Sequence, residues 1–258
     1  MQVWYMNGAG NDFMVIDARG QTLDFPQLAT KLCRLTNADG FMAIDHADVG
    51  DFRLHFYNSD GSRGEMCGNG ARCICRFAWE MGIVGTEMTI QTDAGLVLGK
   101  RLSANQYLVK LNNPGALDLC RTPDAAYVEL GCPGVPHAVM EWPQLDWADR
   151  DALRPRARAL RHDPAFPKGA NANLFRRLDE GTIRILTFER GVEDFTLACG
   201  TGSAATAAVL FSRGELPGGV LKVENPGGTL IVTIEGTPEA IEAIWLEGPA
   251  MICSIVNL

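Results

Sequence analysis

The sequence predicts an α+β protein made of two similar lobes, in which strands wrap around a central buried helix. A short pattern, Cys-Gly-x-Gly, occurs twice, at residues 67–70 and 199–202. Each copy runs into a helix-forming apolar stretch, residues 71–81 and 203–211, with strand-like segments on both sides of it. Because this order recurs with little identity outside the motif, the chain is interpreted as an internal duplication.

Composition limits the classes of function. The chain has 258 residues, of which 47% are hydrophobic and 21% charged, and this suits a soluble protein of one large or two medium domains. A formal net charge of -8 argues against nucleic acid and anionic membrane surfaces as partners. The first residues lack a signal-peptide pattern, and no run approaches the roughly 18 apolar residues of a membrane span. We therefore expect a cytoplasmic protein without nucleic-acid or membrane partners.

Cysteine usage indicates thiols rather than a disulfide framework or a metal site. With no sign of export, the eight cysteines are expected to stay reduced. Cys-x2-Cys pairs do not occur and the four histidines are scattered, which argues against zinc. Cys73 and Cys75 lie two apart on a predicted helix and are expected to be buried as small apolar side chains.

The first lobe is predicted from apolar and alternating segments. Polar residues 7–12 form a turn between the first two strands. A helix over residues 25–35 has Pro26 near its start and leucines at helical spacing. The predicted strands are residues 2–6, 13–18, 41–44, 51–57, 87–92, 95–101 and 106–111.

The stretch Asn112-Asn113-Pro114-Gly115 is interpreted as the linker between the lobes. The predicted domains are residues 1–112 plus 249–258 for the first lobe, which carries Cys67, and residues 113–248 for the second, which carries Cys199.

The second lobe repeats the strand-rich pattern. Its basic segment, residues 149–161, is predicted to be a helix kinked at Pro155 with a solvated face. The last apolar run, residues 251–256, is expected to be a strand that returns to the first lobe. The remaining predicted strands are residues 126–130, 136–141, 173–178, 182–189, 220–223, 229–234 and 243–246.

The two helices that follow the motifs are expected to differ in polarity. Arg72, Arg76 and Glu80 lie four apart and predict one polar stripe on the first helix. The second helix, residues 203–212, carries no charged side chain. A helix that is apolar all round and too short for a membrane is buried in a core.

The glycine-rich turn that opens each helix predicts an anion site beside a thiol. Backbone N–H groups and the positive end of the helix dipole gather at such a turn and suit a carboxylate. The same dipole favours a thiolate, so the pKa values of Cys67 and Cys199 are expected to be lowered. Two copies in two lobes suggest that two thiols and two anion-holding turns meet across a cleft.

In its motifs the sequence resembles the diaminopimelate epimerase family of cofactor-independent amino-acid epimerases and racemases. The resemblance runs along nearly the whole chain and implies two similar lobes, each a mixed β-barrel around a central helix. It rests on GAGNDF (residues 8–13), ADG (38–40), NSDGS (58–62), EMCGNGARC (65–73), PH (136–137), GANAN (169–173), ERG (189–191), LACGTG (197–202) and EGPA (247–250).

The resemblance implies inversion of an α-carbon by two acid/base groups on opposite faces, without pyridoxal phosphate or another cofactor. It identifies Cys67 and Cys199 as the two catalytic thiols, and His137 and Glu189 as catalytic residues that help set their ionisation. Backbone N–H groups of the two turns would bind the substrate carboxylate as negative charge builds there; they belong to Gly68, Asn69, Gly200 and Thr201.

A second set of matched positions is implied to hold the far amino-acid end of the substrate. Arg190 would grip the distal carboxylate, because its planar fork suits bidentate binding. The set comprises Asn11, Asn58, Asn171, Glu189 and Arg190. The family resemblance also implies a homodimer.

Two departures from the family pattern leave alternatives open. Val135 stands where the family usually has asparagine before Pro-His, and Asn7 stands where it usually has histidine. The first reading is an epimerase of LL-diaminopimelate that serves lysine and peptidoglycan synthesis. The alternatives are a racemase of another amino acid and a catalytically silent amino-acid-binding protein. The intact cysteines, glycine turns and His137 argue against silence, and the paired cysteines argue against the phenazine-synthesis isomerases of the same fold, which lack them.

Overall fold

The computed structural model describes residues 1–64 and 67–257. Glu65 and Met66 of the EMCGNGARC motif and Leu258 of the first predicted domain lie outside the described residues. The chain divides into two compact units. Unit 1 comprises residues 1–110 with the returning segment from Glu247, and unit 2 comprises residues 111–246. Within the described residues, no helix is long and apolar enough to cross a membrane.

Unit 1 consists of one mixed sheet and two helices. Its elements are β1 (Gln2–Gly8), β2 (Asn11–Asp17), α1 (Phe25–Thr36), β3 (Gly40–Asp45), β4 (Phe52–Asn58), α2 (Gly68–Glu80), β5 (Glu87–Thr92), β6 (Gly95–Arg101), β7 (Gln106–Leu111) and β16 (Met251–Asn257). The strand order is β16-β1-β2-β3-β4-β5-β6-β7. Only β2/β3 and β4/β5 are parallel among the described pairs of this unit, and α1 and α2 make the crossovers that parallel strands require.

Unit 2 is built in the same way. Its elements are β8 (Pro114–Asp118), β9 (Ala126–Gly131), β10 (Gly134–Glu141), a 3₁₀ turn (Trp147–Asp149), α3 (Arg150–Arg161), β11 (Asn171–Asp179), β12 (Thr182–Phe188), α4 (Gly200–Ser212), β13 (Val220–Asn225), β14 (Gly228–Thr237) and β15 (Ala240–Pro249). The last residues of β15, from Glu247, belong to unit 1. The strand order is β15-β14-β13-β12-β11-β10-β9-β8. The pairs β10/β11 and β12/β13 are parallel, and α3 and α4 cross between them.

The two units share one order of connections. In unit 1 the hairpins β1–β2, β3–β4 and β5–β6 are separated by α1 and α2. In unit 2 the hairpins β9–β10, β11–β12 and β13–β14 are separated by α3 and α4. In each unit the second crossover helix is the one that follows Cys-Gly-x-Gly. This correspondence confirms the predicted internal duplication.

The motif helices form the centre of each unit. α2 packs against β1, β2, β3 and β6, and α4 packs against β8, β9, β10, β11, β13 and β14. All residues of α4 from Gly202 to Phe211 are buried, as its uncharged sequence predicted. Cys73 and Cys75 are buried in α2, and β16 pairs with β1, so these predictions are also confirmed. The predicted α+β class with one buried central helix in each lobe is confirmed.

The predicted start of α2 was wrong. Its start is Gly68 rather than residue 71, because the motif glycines belong to the first turn; α4 likewise begins at Gly200. Burial varies along the predicted polar stripe, since Arg72 is 0% exposed while Glu80 at the end of the helix is exposed. The next arginine, Arg76, has a side chain only 13% exposed, and it bonds to the backbone carbonyl of Ala250.

Two predicted connections turned out to contain strand. The turn predicted at residues 7–12 reduces to Ala9 and Gly10, whose φ angles of 57° and 95° are those of a tight two-residue hairpin turn. The predicted linker contains the start of β8, with Pro114 as its first residue. Proline is tolerated at the first position of an edge strand, because its missing N–H is not needed there.

Candidate active site

Both motif cysteines are N-cap residues with nearly the same backbone. Cys67 precedes α2 with φ −109° and ψ 120°, and Cys199 precedes α4 with φ −116° and ψ 109°. The carbonyl of each cysteine accepts the first hydrogen bond of its helix, from Ala71 N at 2.7 Å and from Ser203 N at 2.9 Å. The duplicated motif therefore places a thiol at the same point of the same element in both units.

This geometry leaves each motif turn with backbone donors of the kind that bind anions. The helical ladder starts three residues inside each helix, so the N–H groups of the first turn stay outside it. These groups belong to the glycine-containing segments that the sequence predicted as carboxylate sites, at Gly68 and Asn69 and at Gly200 and Thr201. With the helix dipole they favour negative charge at the N-terminus.

The Cys199 thiol is held in a buried, polar pocket of unit 2. Its Sγ accepts a hydrogen bond from Gly202 N at 3.3 Å and lies 3.5 Å from Thr201 Oγ1. The pKa of Cys199 is raised well above its ordinary value, first by burial and then by the neighbouring Glu189 carboxylate. The bonds from Thr201 and Gly202 act in the opposite direction but are outweighed. The predicted lowering of the pKa is therefore wrong for Cys199, which rests as a thiol.

Glu189 follows β12 and is fixed beside Cys199. Thr196 Oγ1 donates to Glu189 Oε1 at 2.7 Å, and the Glu189 backbone N–H donates to Asp194 O at 3.0 Å. The structure thus brings Glu189 and Cys199 together, as the family resemblance implied. An acceptor-only carboxylate beside the thiol favours its protonated form.

His137 lies on β10 and is completely buried. Burial, assisted by the charge of Arg190, lowers the pKa of His137 to about 3, while Asn173 opposes the shift. Its Nδ1 faces the amide nitrogen of Asn173 at 3.2 Å, so Nδ1 is the acceptor and Nε2 carries the hydrogen. Nε2 has no hydrogen-bond partner among the described residues. His137 is therefore a neutral donor at neutral pH.

Asn173 is the residue of this site that sequence reasoning missed. Its Nδ2 donates to Ala138 O at 3.0 Å and its Oδ1 accepts from Thr187 Oγ1 at 2.9 Å. These bonds fix the amide that orients His137. The signal was present in the GANAN motif, because Asn171 and Asn173 alternate with the apolar residues Ala172 and Leu174 at the start of β11.

Asn171, Arg190 and Val135 lie near His137 in unit 2. Asn171 is the register partner of His137 in the parallel β10/β11 pair, and its Oδ1 accepts from Arg190 N at 2.7 Å. The Arg190 guanidinium is exposed and uses Nη1 to bind Lys168 O at 3.1 Å. Val135 is half-buried on β10, two residues before His137.

In unit 1, the structure connects Asn69 of the motif turn to Asn11. Asn69 Nδ2 donates to Asn11 Oδ1 at 2.5 Å, and Asn11 Nδ2 donates to Asp39 Oδ2 at 3.3 Å. The same Asp39 oxygen accepts from Asp12 N at 2.8 Å. Two of the predicted substrate-binding residues, Asn11 and Asn69, are therefore in direct contact.

Asn58 is not part of this connection. It is the exposed last residue of β4, and its side chain donates to Ser62 Oγ at 3.0 Å.

For metal ions, the described residues contain no group of three His, Cys, Asp or Glu side chains that could hold one.

Comparison with known proteins shows which family the sequence of this chain matches. The model of the family described as diaminopimelate epimerase matches residues 3–113 and 132–252. The diaminopimelate epimerase of Aquifex aeolicus is 35% identical, over 96% of this chain and 94% of that protein. The diaminopimelate epimerase of Chlorobaculum tepidum is also 35% identical, over 95% of this chain and 96% of that protein.

Solved structures share the fold at lower identity. A phenazine biosynthesis protein of the PhzF family from Bacillus anthracis has a TM-score of 0.76 and 15% identity, covering 100% of this chain and 98% of that one. A probable proline racemase from Agrobacterium radiobacter has a TM-score of 0.69 and 18% identity, covering 100% and 92%. At such identities the likeness shows the fold alone.

Proposed function

The chain belongs to the diaminopimelate epimerase family, a family of isomerases, and we propose that it interconverts LL- and meso-diaminopimelate by moving a proton at the α-carbon. The observation that carries the proposal is the cysteine N-cap repeated in both units, at Cys67 and Cys199. Inversion needs one group to take a proton and a second to return one from the opposite face, and two equivalent thiols meet that need.

The proposed reaction starts with Cys67 as thiolate and Cys199 as thiol. Cys67 takes the α-proton from one face while Cys199 gives its proton to the other, so charge and protons balance and the roles are exchanged for the reverse reaction. The raised pKa of Cys199, caused by burial and Glu189, supports this starting state. His137 is proposed to act as a neutral hydrogen-bond donor beside the reacting groups.

The carbanion formed at the α-carbon must be stabilised, because its proton is a very weak acid. We place the substrate's proximal carboxylate at the N–H groups of the two motif turns, Gly68 and Asn69 with Gly200 and Thr201. Donors aimed at a site of developing negative charge contribute more to enzyme catalysis than most other effects. This proposal requires no cofactor.

The distal amino-acid end of the substrate is proposed to bind Asn11, Asn58, Asn171, Glu189 and Arg190. Arg190 supports this role, since its exposed guanidinium forms no ion pair among the described residues and can take a carboxylate. Asn171 orients the Arg190 backbone, which links the two positions. A cytoplasmic homodimer that serves lysine and peptidoglycan synthesis completes the proposal.

Substrate kinetics test the distal end. We expect Arg190→Ala to lower kcat/KM for LL-diaminopimelate by roughly 10- to 100-fold, the cost of losing hydrogen bonds to a charged group. Val135→Asn should lower KM by up to about tenfold or leave it unchanged, because it adds one amide. Arg158→Ala, an exposed arginine on α3, is the control and should match wild type. An undiminished Arg190→Ala enzyme would reject the distal receptor.

A second function on the same mechanism is racemisation of another amino acid. The observation that favours it is Val135, an aliphatic side chain two residues from His137 where the family usually has an amide. Proton–deuterium exchange at the α-carbon in D2O, run on a panel of amino acids, separates the two. Exchange with another amino acid and none with LL-diaminopimelate would select the racemase, and no exchange with any would select a silent binding protein.

Oxidation tests whether the two thiols reach a common carbon. Thiols that act on opposite faces of one atom should crosslink in the empty site, so we expect reversible inactivation by diamide and protection by substrate. Peptide mass spectrometry should find Cys67 joined to Cys199. Cys120→Ala, which removes an exposed cysteine, should be inactivated like wild type. Inactivation with other pairings only would show that the thiols do not converge.

A further inference from the structure

A completely buried arginine stands one turn inside the helix that Cys67 caps. Arg72 donates from Nη1 to Gly68 O at 3.2 Å, from Nη2 to Asn69 Oδ1 at 2.9 Å and from Nε to Pro249 O at 3.4 Å. All three acceptors are neutral oxygens. The guanidinium is therefore satisfied as a donor, while its positive charge is not neutralised by any of these bonds.

The described residues supply no carboxylate for this charge. Arg72 forms no ion pair within residues 1–64 and 67–257, whereas Arg76, one turn further on, lies 3.5 Å from the Glu80 carboxylate. A buried charge without an opposite charge is costly, and proteins retain such a group where it has an anionic partner or a function. Burial accordingly lowers the pKa of Arg72.

Among the described residues, the groups that interact electrostatically with Arg72 are three thiols, those of Cys73, Cys67 and Cys75. Cys73 and Cys75 are fully buried, and burial raises the pKa of Cys73 to about 12 and that of Cys75 further. Both therefore stay protonated at neutral pH. Cys67 is only half-buried, so it is the thiol of the three that can carry the opposing charge.

Within residues 1–64 and 67–257, the other charged or titratable groups near α2 do not balance the charge of Arg72. Asp39 is separated from Arg72 by the Asn11 and Asn69 amides, and Asp12 accepts a hydrogen bond from the Asn7 amide instead. On β1 and β16, burial raises the pKa values of Tyr5 and Cys253, so both stay neutral at pH 7.

Arg72 also fixes the direction of the amides next to Cys67. A guanidinium can only donate, so Asn69 must turn its Oδ1 toward Arg72 and its Nδ2 toward Asn11. At the other end a carboxylate can only accept, so Asn11 turns its Nδ2 toward Asp39. With Arg72 at one end and Asp39 at the other, the Asn69 and Asn11 side-chain amides can each adopt only one orientation.

We infer that Arg72 is a positioning residue that holds the Gly68–Asn69 turn and provides the buried positive charge that favours the thiolate of Cys67. Arg72 does this without touching the substrate. The consequence for turnover rests on the proposed function, but the effect on Cys67 ionisation does not.

The test is the rate at which iodoacetamide alkylates Cys67 at pH 7, measured by peptide mass spectrometry on the full chain without substrate. Removing a nearby charge shifts a thiol's ionisation by about one pKa unit or more, so Arg72→Met should slow alkylation about tenfold or more. Arg72→Lys keeps the charge and should stay within about threefold of wild type. Arg76→Met, which removes a carboxylate-paired arginine from the same helix, should leave the rate unchanged.

A purely structural role of Arg72 predicts the opposite change in the alkylation rate of Cys67. If Arg72 only braced the turn, its loss would expose Cys67 and alkylation would be as fast as in wild type or faster, which would overturn the inference. If the Arg72 variants do not fold, a measurement on the wild-type protein alone still tests the inference. The pH midpoint of Cys67 alkylation should lie below the ordinary cysteine value of about 8.5, and a midpoint at or above it would also overturn the inference.

The same variants separate this inference from the proposed function. A wild-type protein that does not epimerise diaminopimelate, but shows the expected Arg72 pattern, rejects the function and supports the inference. An active enzyme whose Cys67 reactivity is unchanged in Arg72→Met rejects the inference alone. In an active enzyme, Arg72→Met should reduce kcat more than it raises KM, because thiolate supply limits the proton-transfer step.

Discussion

Replacing Cys67 or Cys199 with alanine should lower the rate of diaminopimelate epimerisation by about a thousandfold or more. Each thiol is proposed to act as acid in one direction and base in the other, and loss of one such group typically costs about 10²- to 10⁴-fold. Cys120→Ala, in which an exposed cysteine is removed, should keep wild-type kcat and KM. Circular dichroism of each variant should match wild type.

Proton exchange in D2O sharpens this test, because one remaining thiol serves one face of the α-carbon. Residual exchange in the Cys67→Ala and Cys199→Ala variants should be confined to one stereoisomer in each, and the two variants should prefer opposite isomers. Wild-type-like turnover in either variant, or exchange of both isomers in a single variant, would contradict the two-thiol mechanism.

The second large effect, on both stability and turnover, is expected from replacing Gly202 in the first turn of α4. An alanine Cβ there would lie 2.3 Å from Asn173 Oδ1 and 2.9 Å from Thr187 Oγ1, so the buried amide that orients His137 would have to move. Overpacking of this kind costs about 1–3 kcal/mol of the free energy of unfolding. For Gly202→Ala we expect Tm to fall by several degrees, at about 2–4 °C per kcal/mol, together with a loss of kcat.

The equivalent position of the first motif provides the matched control. An alanine Cβ at Gly70 would meet the flexible Met42 side chain at 3.1 Å, and Phe13 only at 3.6 Å. Since alanine also favours helix over glycine by about 1 kcal/mol, Gly70→Ala should be close to neutral in Tm. Equal destabilisation by both substitutions would mean that the contact with Asn173 is not what excludes a side chain at Gly202.

Much of the fold could be predicted because local pattern and burial agree along most of the chain. The strands β5, β6 and β7 have the predicted bounds, since their alternation is flanked by glycine and asparagine turns. The strand β8 was missed in the predicted linker because Pro114 and Gly115 carry a turn signal in sequence, yet an edge strand tolerates proline at its first residue. Local signals do not report the position of a segment in a sheet.

The site was predicted less completely, because burial of polar groups depends on distant partners. Helical spacing placed Arg72 on a polar stripe, whereas its bond to Pro249, 177 residues away, depends on the tertiary fold. The pKa of Cys199 was expected to fall at a helix N-terminus. Its burial and the approach of Glu189 reverse the shift, and neither can be read from the local motif.

The pairing of β16 with β1, in which Gln2 lies opposite Asn257, sets an order of folding during synthesis. Unit 2 is continuous in sequence and leaves the ribosome before β16 does, so it can complete its sheet while unit 1 still lacks a strand. Domains usually fold in the order in which they are made, and here the discontinuous N-terminal unit is the last to close. Until β16 emerges, β1 presents an open edge to which strands of other nascent chains can add. The time that translation takes to pass from β1 to β16 is therefore the interval in which this edge is open to such pairing.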